Sequence, residues 1–324
     1  MLRSMIMTWL LSAQGFMHSR QPNQSSCPSI FVAVFSRAND VARRRLVRNM
    51  WAHGEGWPNM IAKFVVCGNG HCDNMLRRER EKYGDVMVLE CKEGYGKGLL
   101  TAKLLASMRA YQDTFNTDLF MKVDDDTFVY RRDLCSYIGQ HLDQEPFQYM
   151  GVYHKAAAVN RDPLSIYREP ASTYPNSTWP ESMSGGAGYI LSGQLVRHLL
   201  ASGIPQSNFM WNEDKAVGVW VHLARQAGAR IKLLKIQGSD GFRTAPFCGK
   251  WKHYPWLLHH KLSAETIACL DELARADDPE KRSQCWSGAA RRFRGGKAQT
   301  VCVDKYHPLW LEGAPLNRSV EPLR

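Results

Sequence analysis

The stretch that decides the fold of this chain is Leu119-Phe120-Met121-Lys122-Val123-Asp124-Asp125-Asp126-Thr127-Phe128-Val129-Tyr130. Its apolar first half, 119–123, has the length and residue types of a buried strand, and three carboxylates stand at its end. Adjacent aspartates repel one another unless water, a cation or hydrogen-bond donors neutralise them. Clustered oxygen ligands of this kind suit Mg²⁺ or Mn²⁺, which also bind phosphates. The same residues could instead form an acidic surface turn between two strands.

The composition is that of an ordinary globular protein with a surplus of positive charge. The 324 residues are 44% hydrophobic and 23% charged, enough for one large α/β domain or two ordinary ones. The net charge of +11 favours anionic partners such as nucleotide phosphates, acidic glycans or membrane surfaces. No basic stripe interleaved with aromatic residues is present in the sequence, so nucleic acid is not expected as a partner.

The N-terminal stretch of the sequence favours entry into the secretory pathway. An apolar stretch at 5–13 follows Arg3 and is shorter than the ~20 residues that span a bilayer. It is long enough for the core of a signal peptide, or for a signal anchor clipped by a misassigned start. Membrane association through the N-terminus is therefore expected if the start is incomplete. Glycosylation sequons at Asn23, Asn176 and Asn317 are compatible with secretion.

The nine cysteines are too scattered for a small disulfide scaffold. Cys67 and Cys72, with His71 beside the second, hint at zinc, but no second pair completes a four-ligand site. A local disulfide or free thiols explain this pair better. Because the number is odd, at least one thiol remains unpaired within the chain.

Strand-like and helix-like segments alternate through the first half of the chain. Apolar runs at 30–35, 61–66 and 86–89 predict strands, and helical patterns follow Asp40 and cover 99–111. This alternation predicts an α/β fold whose sheet contains parallel strands with helices on both faces. Ligands of such sheets bind beyond the carboxyl ends of the strands, which is where the three aspartates lie.

The second half of the chain contains an irregular segment followed by a glycine-rich one. Residues 145–182 hold several prolines and no long periodic pattern, which predicts an irregular, functional excursion. Gly185, Gly186 and Gly188 stand beside an apolar run. They either let the backbone approach a ligand closely or form a tight turn before a strand.

Two further pairs of polar residues are candidates for chemistry. Glu213 and Asp214 begin a helical segment, where carboxylates usually complement the helix dipole and act less often as a general base. His259 and His260 follow an apolar run. Neighbouring side chains on a strand point to opposite faces, so only one of the two histidines should reach a shared site.

Five motifs, in this order, resemble those of the β-1,3-galactosyltransferase-like glycosyltransferases (family 31), and more closely that family's protozoan branch. They are Arg43-Arg44-Arg45-Leu46-Val47-Arg48-Asn49-Met50-Trp51, Lys122-Val123-Asp124-Asp125-Asp126-Thr127-Phe128, the glycine block at 185–192, Glu213-Asp214-Lys215-Ala216-Val217-Gly218 and His260-Lys261-Leu262-Ser263. The resemblance covers residues 30–270. Three departures bear on donor and acceptor preference: Lys215 replaces the usual valine, Ser182 stands where an aromatic residue is common, and the spacing from Tyr95 to Thr101 is longer than typical.

The resemblance implies a GT-A fold, in which a Rossmann-like nucleotide-binding half is continuous with an acceptor-binding half. The chain would then consist of a signal or clipped signal anchor with a short stem at 1–29, a GT-A glycosyltransferase domain at 30–270 and a C-terminal extension at 271–324. The family's usual setting further implies a type II membrane protein of the Golgi.

The implied activity is inverting, metal-dependent transfer of galactose or N-acetylglucosamine. The donor would be UDP-galactose or UDP-N-acetylglucosamine, and the acceptor a glycan hydroxyl on a glycoprotein or glycolipid. The alternative is an inactive chaperone or glycan-binding protein of the secretory pathway that descends from a transferase. Such a protein usually loses at least one residue of the site, whereas this sequence retains them.

Carried onto this sequence, the resemblance makes Asp214 the catalytic base. It assigns the divalent cation, Mn²⁺ or Mg²⁺, to Asp126, Asp124 and His260. The donor nucleotide would be bound by Asp124, Asp125, Ser36, Arg44 and Arg48. The two arginines would offset the negative charge that the UDP leaving group gains. A carboxylate placed beside the acceptor hydroxyl can take its proton as the oxygen attacks.

Overall fold

The computed structural model describes residues 27–53, 56–68, 74–142, 145–186, 188–236, 242–243, 257–260, 286–294 and 297–304. In chain order the strands are β1 (Ile30–Phe35), β2 (Met60–Cys67), β3 (Val86–Leu89), β4 (Leu119–Asp124), β5 (Phe128–Val129), β6 (Phe147–His154), β7 (Ala157–Ala158), β8 (Thr178–Trp179), β9 (Ser182–Met183), β10 (Tyr189–Ser192), β11 (Ile231–Ile236), β12 (Phe242–Arg243), β13 (Leu258–His259), β14 (Trp286–Arg294) and β15 (Lys297–Asp304). The helices are α1 (Val41–Val47), α2 (Asn74–Tyr83), α3 (Leu99–Thr114), α4 (Arg131–His141), α5 (Gly193–Ser202), α6 (Ile204–Ser207) and α7 (Glu213–Gln226), and a π-helical turn, Arg48–Ala52, continues α1.

The main sheet has the strand order β11-β6-β10-β4-β1-β2-β3, with β9 paired to β6. Strands β1 to β4 are parallel, whereas β10 runs antiparallel between β4 and β6. Helices connect the parallel strands in the order β1-α1-β2-α2-β3-α3-β4. The predicted α/β alternation is confirmed, and this half of the sheet has the Rossmann-like arrangement.

One part of the fold prediction was wrong. The segment 145–182 is not irregular throughout, because it contains β6, which lies between β10 and β11 in the main sheet. Strand β6 is buried over 148–151, although it carries a polar Gln148 and a glycine. A strand that has neighbours on both edges and helices over its faces does not need alternating polarity, so the sequence pattern did not reveal it.

Alternating side chains of the central strands supply two cores, one on each face of the sheet. In β1, Val32 and Val34 belong to the core that includes residues of α1, α2 and α4. Phe31 and Ala33 belong to the opposite core, with residues of α3, α5 and α7. Burial on both faces explains why β1 is apolar throughout. The same alternation in β4 places residues 122 and 124 on the α3 and α7 side.

A buried cluster of four charged side chains joins α1 to α2 and to the start of β3. Arg44 Nη2 lies 2.7 Å from Glu79 Oε2, and Arg48 Nη2 lies 2.9 Å from Glu79 Oε1. Arg48 Nε lies 2.6 Å from Asp85 Oδ2. Because each buried charge has an opposite partner, the cluster avoids the large penalty of an unpaired charge.

Two disulfides link segments that are distant in sequence. Cys27 is bonded to Cys135 in α4, and Cys67 at the end of β2 is bonded to Cys91 just after β3. Both alternatives expected for Cys67, a local disulfide with Cys72 or a free thiol, are therefore wrong. Parallel neighbouring strands bring the ends of β2 and β3 together, which sequence spacing does not show. Cys72 itself lies outside the described residues.

The two ends of the chain bear on the predicted domain boundaries. Among the described residues, no helix combines the length and apolar character that crossing a membrane requires. The predicted signal or anchor segment lies outside the described residues, so the boundary near 29 stays a prediction. Within the predicted C-terminal extension, β14 and β15 pair as an antiparallel hairpin.

The buried cluster predicts an acid-sensitive fold. Burial alone would raise the pKa of Glu79 and of Asp85. The hydrogen bonds and charges of Arg44 and Arg48 lower the pKa of Glu79, and those of Arg48 and His53 lower the pKa of Asp85. A folded-state pKa below the unfolded value contributes stability that is present above the unfolded pKa and is lost as the pH falls through the folded pKa. We expect the free energy of unfolding to decline below about pH 4.

Urea denaturation at a series of pH values measures this effect. Asp85→Asn should lose about 3 kcal/mol at pH 7 and show a shallower decline in acid. Exposed Asp113 in α3 provides the control, because Asp113→Asn should follow the parent curve. A free energy of unfolding that stays constant from pH 7 to pH 3 would contradict the prediction.

Candidate active site

A cleft of about 170 Å³ opens at the carboxyl ends of β1 and β4, the central strands of the sheet. Strand β1 has β2 on one edge and β4 on its other edge, and the chain leaves β1 toward β2 through α1. This is the switch point at which ligands of such sheets bind. The charged side chains that line the cleft are Asp40, Glu93, Asp124, Asp125, Asp126, Arg37, Arg43 and Lys103.

The three aspartates form a turn that ends β4 at this cleft. The Asp125 amide donates to Phe35 O at 3.1 Å, which ties the turn to the end of β1. The Thr127 amide donates to Asp124 O, also at 3.1 Å, which closes the turn. The apolar strand before it and the short strand β5 after it hold the carboxylates at the rim of the sheet.

His260 reaches this turn from a distant part of the chain. Strand β13 pairs antiparallel with β5, with His259 opposite Phe128, so the next residue along lies beside Thr127. His260 Nδ1 is 3.1 Å from Thr127 Oγ1 and 3.0 Å from Asp126 Oδ1. The His260 side chain is buried, which separates it from the solvent. The structure therefore brings together the residues that the sequence analysis proposed as metal ligands.

The residues at this turn fit a divalent cation. Asp124, Asp126 and His260 each offer one ligand atom, and these atoms lie within 4.8 Å of one another. Asp126 Oδ1 is buried, and no donor in the described residues makes a well-aligned hydrogen bond to it. Burial, with the charges of Asp126 and Asp40, raises the pKa of Asp125 to about 6, against a hydrogen bond from Ser36. Such crowding of carboxylates is relieved by a cation, and oxygen with imidazole ligands suits Mn²⁺.

Lys122 connects this turn to the other half of the site. Its buried ammonium lies 2.8 Å from Asp124 Oδ1 and 3.5 Å from Glu213 Oε2, and it donates to Gly185 O at 3.2 Å. Burial would lower the pKa of Lys122, but the charges of Asp124 and Glu213 outweigh it and raise the value. Lys122 therefore stays charged and holds β4, the glycine block and α7 together.

Glu213 and Asp214, neighbours at the start of α7, have different surroundings. Glu213 is buried, accepts a hydrogen bond from the Tyr189 hydroxyl and pairs with Lys122. Asp214 is half-buried, and its Oδ2 accepts from the Gly185 amide at 3.4 Å. Of the two carboxylates, Asp214 is the more accessible, which suits the role of proton acceptor better than that of Glu213.

The glycine block lies against two candidate site residues and forms a turn, whereas close approach to a ligand stays a prediction. A Cβ at Gly185 would lie 2.9 Å from Asp214 Cβ, and one at Gly186 would lie 2.8 Å from His260 Nε2. Gly188 has a φ of +88°, which favours glycine, and forms the turn into β10. Close approach and a turn therefore coincide, and a side chain at 185 or 186 would displace a candidate site residue.

The structure corrects the predicted roles of Arg44 and Arg48. Both guanidiniums are buried in the charge cluster with Glu79 and do not line the cleft. Arg44 instead donates to Ser36 Oγ at 3.2 Å and to Ala38 O at 2.9 Å, which fixes the loop after β1. Ser36 does line the cleft, as predicted for a donor-binding residue.

The cleft is lined instead by three other cations, none of which the sequence analysis proposed as a binding residue. They are Arg37, Arg43 and Lys103. Lys103 is buried in α3, and its ammonium lies 3.0 Å from Glu93 Oε1. The Arg37 guanidinium lies 5.3 Å from the centre of the Tyr95 ring. The sequence signal that could have identified Arg37 and Arg43 is their position in the loop and the first helical turn after β1. These segments face the ligand in this kind of sheet.

A further residue missed in the sequence is Glu169, which positions the start of α7. Its fully buried carboxylate accepts from the Trp211 amide at 2.9 Å, the Asn212 amide at 3.0 Å and Thr173 Oγ1 at 2.6 Å. Asn212 is the N-cap residue of α7 and makes no capping hydrogen bond with its own side chain. Glu169 supplies an acceptor at this helix end from a distant loop, and so fixes the residues just before Asp214.

Comparison with known proteins identifies the class. The sequence model of the Galactosyltransferase family matches residues 42–229, more than half of the chain. The chain belongs to this family, and the resemblance to family 31 is confirmed. The α/β sheet described above agrees with the GT-A fold that this resemblance implies. Membership of the protozoan branch stays a prediction.

Individual relatives are distant. Mouse beta-1,3-galactosyltransferase 6 is 29% identical over 223 residues, covering 65% of this chain and 63% of that protein. Arabidopsis thaliana hydroxyproline O-galactosyltransferase GALT5 is 24% identical over 261 residues, covering 78% of this chain. Rat UDP-GlcNAc:betaGal beta-1,3-N-acetylglucosaminyltransferase 7 is 26% identical over 185 residues, covering 52% of this chain and 45% of that protein. The match spans only 36% of the length of GALT5.

A solved structure gives a weaker likeness. The glycosyltransferase involved in glycosylation of the major capsid of PBCV-1 aligns with a TM-score of 0.35 and 11% identity, covering 77% of this chain and 100% of that one. A likeness this remote does not locate individual residues.

The contacts of Glu169 predict that its loss destabilises the fold. Glu169→Ala would leave the partly buried amides of Trp211 and Asn212 without an acceptor, and we expect a loss of about 2–3 kcal/mol in the free energy of unfolding. Glu169→Gln keeps one acceptor oxygen and should lower the free energy of unfolding by less. Urea denaturation measures both, with Glu81→Ala on the exposed face of α2 as the control. Parent-like stability of Glu169→Ala would contradict this role.

Proposed function

We propose that this chain is an inverting, metal-dependent glycosyltransferase that moves galactose or N-acetylglucosamine from a UDP-sugar to a glycan hydroxyl. One observation carries the proposal: Asp124, Asp126 and His260 meet at the strand-end cleft, and Lys122 joins them to the segment that presents Asp214. Membership of the Galactosyltransferase family and the activities for which the relatives are named support it.

The donor would bind in the cleft with its diphosphate near the aspartate turn. Asp124, Asp126 and His260 would hold Mn²⁺ or Mg²⁺, which when bound would offset the negative charge of the diphosphate. Arg37 and Arg43 line the same cleft and offer fixed positive charge to the phosphate oxygens.

The reaction requires a proton acceptor near the acceptor hydroxyl. The hydroxyl oxygen attacks the anomeric carbon of the donor sugar from the side opposite UDP, and a new C–O bond forms with inversion. The bond from the anomeric carbon to the β-phosphate oxygen breaks, and its electron pair leaves with UDP. Asp214 takes the hydroxyl proton, for which its half-buried but accessible position at the start of α7 is suited.

The alternative, a transferase-derived chaperone or glycan-binding protein, predicts binding without turnover. The retention of Asp124, Asp126, Asp214 and His260 in one connected site weighs against it. We further propose that the chain acts in the Golgi lumen as a type II membrane protein. The two disulfides support an oxidising compartment of this kind.

The first test concerns the metal. Transfer from a panel of UDP-sugars, detected as UDP release that depends on a glycan acceptor, should require Mn²⁺ or Mg²⁺ and stop in excess EDTA. His260→Ala should raise the Mn²⁺ concentration for half-maximal activity at least about tenfold. His259→Ala is the matched control and should raise this Mn²⁺ concentration less, because adjacent residues of an extended segment face opposite ways. Undiminished turnover in EDTA would contradict metal dependence.

The second test separates the base from the metal ligands. Asp214→Asn keeps the shape but removes the proton acceptor, so the transfer rate should fall about 10²–10⁴-fold while UDP and Mn²⁺ still bind. Asp126→Asn should weaken Mn²⁺-dependent UDP binding as well as the rate. Calorimetric titration with UDP and Mn²⁺, followed by rates at saturating donor, measures both effects. Near-normal turnover of Asp214→Asn would overturn the assignment of the base.

A further inference from the structure

The two residues that depart from the family pattern contact each other beside Asp214. The Lys215 ammonium donates to Ser182 Oγ at 2.8 Å, from α7 to β9. Gly218, one turn further along α7, makes this possible, because a Cβ there would lie 2.6 Å from Ser182 Cβ and 2.9 Å from Glu181 O. Residues three apart share a helix face, so the close approach at Gly218 brings Lys215 to β9 as well.

The Lys215 ammonium differs from comparable lysines nearby because it lacks an acidic partner. Lys122 pairs with Asp124, and Lys235 on β11 pairs with Glu181 at 2.8 Å. Within the described residues, no carboxylate lies within ion-pair distance of the Lys215 ammonium, whose bonding partner is a neutral hydroxyl. Lys215 is half-buried, so part of its hydration is lost without compensation by an opposite charge.

The position of Lys215 in α7 makes its uncompensated positive charge still less favourable. It is the third residue of α7, where the helix dipole is positive and a cation is disfavoured. The imidazole of His154, which lies opposite Ser182 in the β6–β9 pairing, faces the same region. Burial and then the charge of Lys215 lower the pKa of His154, while Asp214 acts in the opposite direction. The charges of Lys215 and Asp214 therefore both reach His154, and all three side chains are at least partly exposed.

We propose that Lys215, together with Ser182 and His154, forms an acceptor subsite for an anionic group, so that the preferred acceptor is an acidic glycan bearing a carboxylate or a sulfate. The inference rests on the proposed function and specifies its acceptor class. The bound anion would supply the opposite charge that Lys215 lacks, and the positive end of α7 would favour the same charge.

The surrounding charges explain why an acidic acceptor needs such a residue. Asp214 and Glu213 stand at the same helix end, and the aspartate turn lies beyond Lys122. These carboxylates repel an anionic glycan, and Lys122 is already paired with two of them. An additional free cation at Lys215 offsets this repulsion where the acceptor enters, whereas a neutral acceptor would need no such charge.

Matched acceptors test the subsite. Each pair consists of a neutral glycan and the same glycan with either a carboxylate or a sulfate on one carbon, so that the two anions are distinguished. The measured quantity is the ratio of kcat/KM between the anionic and the neutral member, with the UDP-sugar that supports transfer. Saturation-transfer NMR with UDP and Mn²⁺ present measures glycan binding without turnover.

We expect the parent to prefer the anionic acceptor, and Lys215→Met to reduce the ratio about 10- to 100-fold. Lys215→Arg keeps the charge and should retain the preference. Lys235→Met is the matched control, because it removes a lysine near the same strand that already has a carboxylate partner.

The possible outcomes separate this inference from the proposed function. Transfer to neutral glycans without preference for any anionic one overturns the subsite alone. A preference that survives in Lys215→Met also overturns it. Absence of transfer, of UDP binding and of glycan binding overturns both.

Discussion

The buried ammonium of Lys122 is the interaction on which the site depends. It contacts Asp124 of its own strand, Glu213 of α7 and the backbone of Gly185. A charge buried this deeply is tolerated only with opposite partners, so its removal would leave two acidic groups uncompensated. The aspartate turn and the start of α7 are therefore fixed relative to each other by one side chain at the centre of the sheet.

The sheet makes this arrangement possible because its strands alternate their side chains. Lys122 and Asp124 are two residues apart and point to the same face of β4. Strand β10 runs antiparallel beside β4, with Tyr189 opposite Lys122, and the Tyr189 hydroxyl donates to Glu213. Glycine at 185 allows the segment before β10 to lie against α7. The register between β4 and β10 therefore both builds the sheet and positions the side chains of the site.

The sequence predicts those parts of the fold and site that depend on local pattern and motif order. The apolar strands, the helices between them and the aspartate turn follow from such patterns. Such patterns do not predict which distant elements contact each other. A helical pattern shows on which face of its helix Arg48 lies, but it does not show that Glu79 and Asp85 form ion pairs with Arg48. The same limit explains the pairing of Cys67 with Cys91.

The central claim, that Lys122 couples the two halves of the site, is tested by a double-mutant cycle. The free energy of unfolding is measured for the parent, Lys122→Met, Glu213→Gln and the double variant. Each single change leaves a buried group without its partner, so the double variant should lose less stability than the two single losses added together. We expect a coupling of at least about 1 kcal/mol. Strictly additive losses would contradict the account.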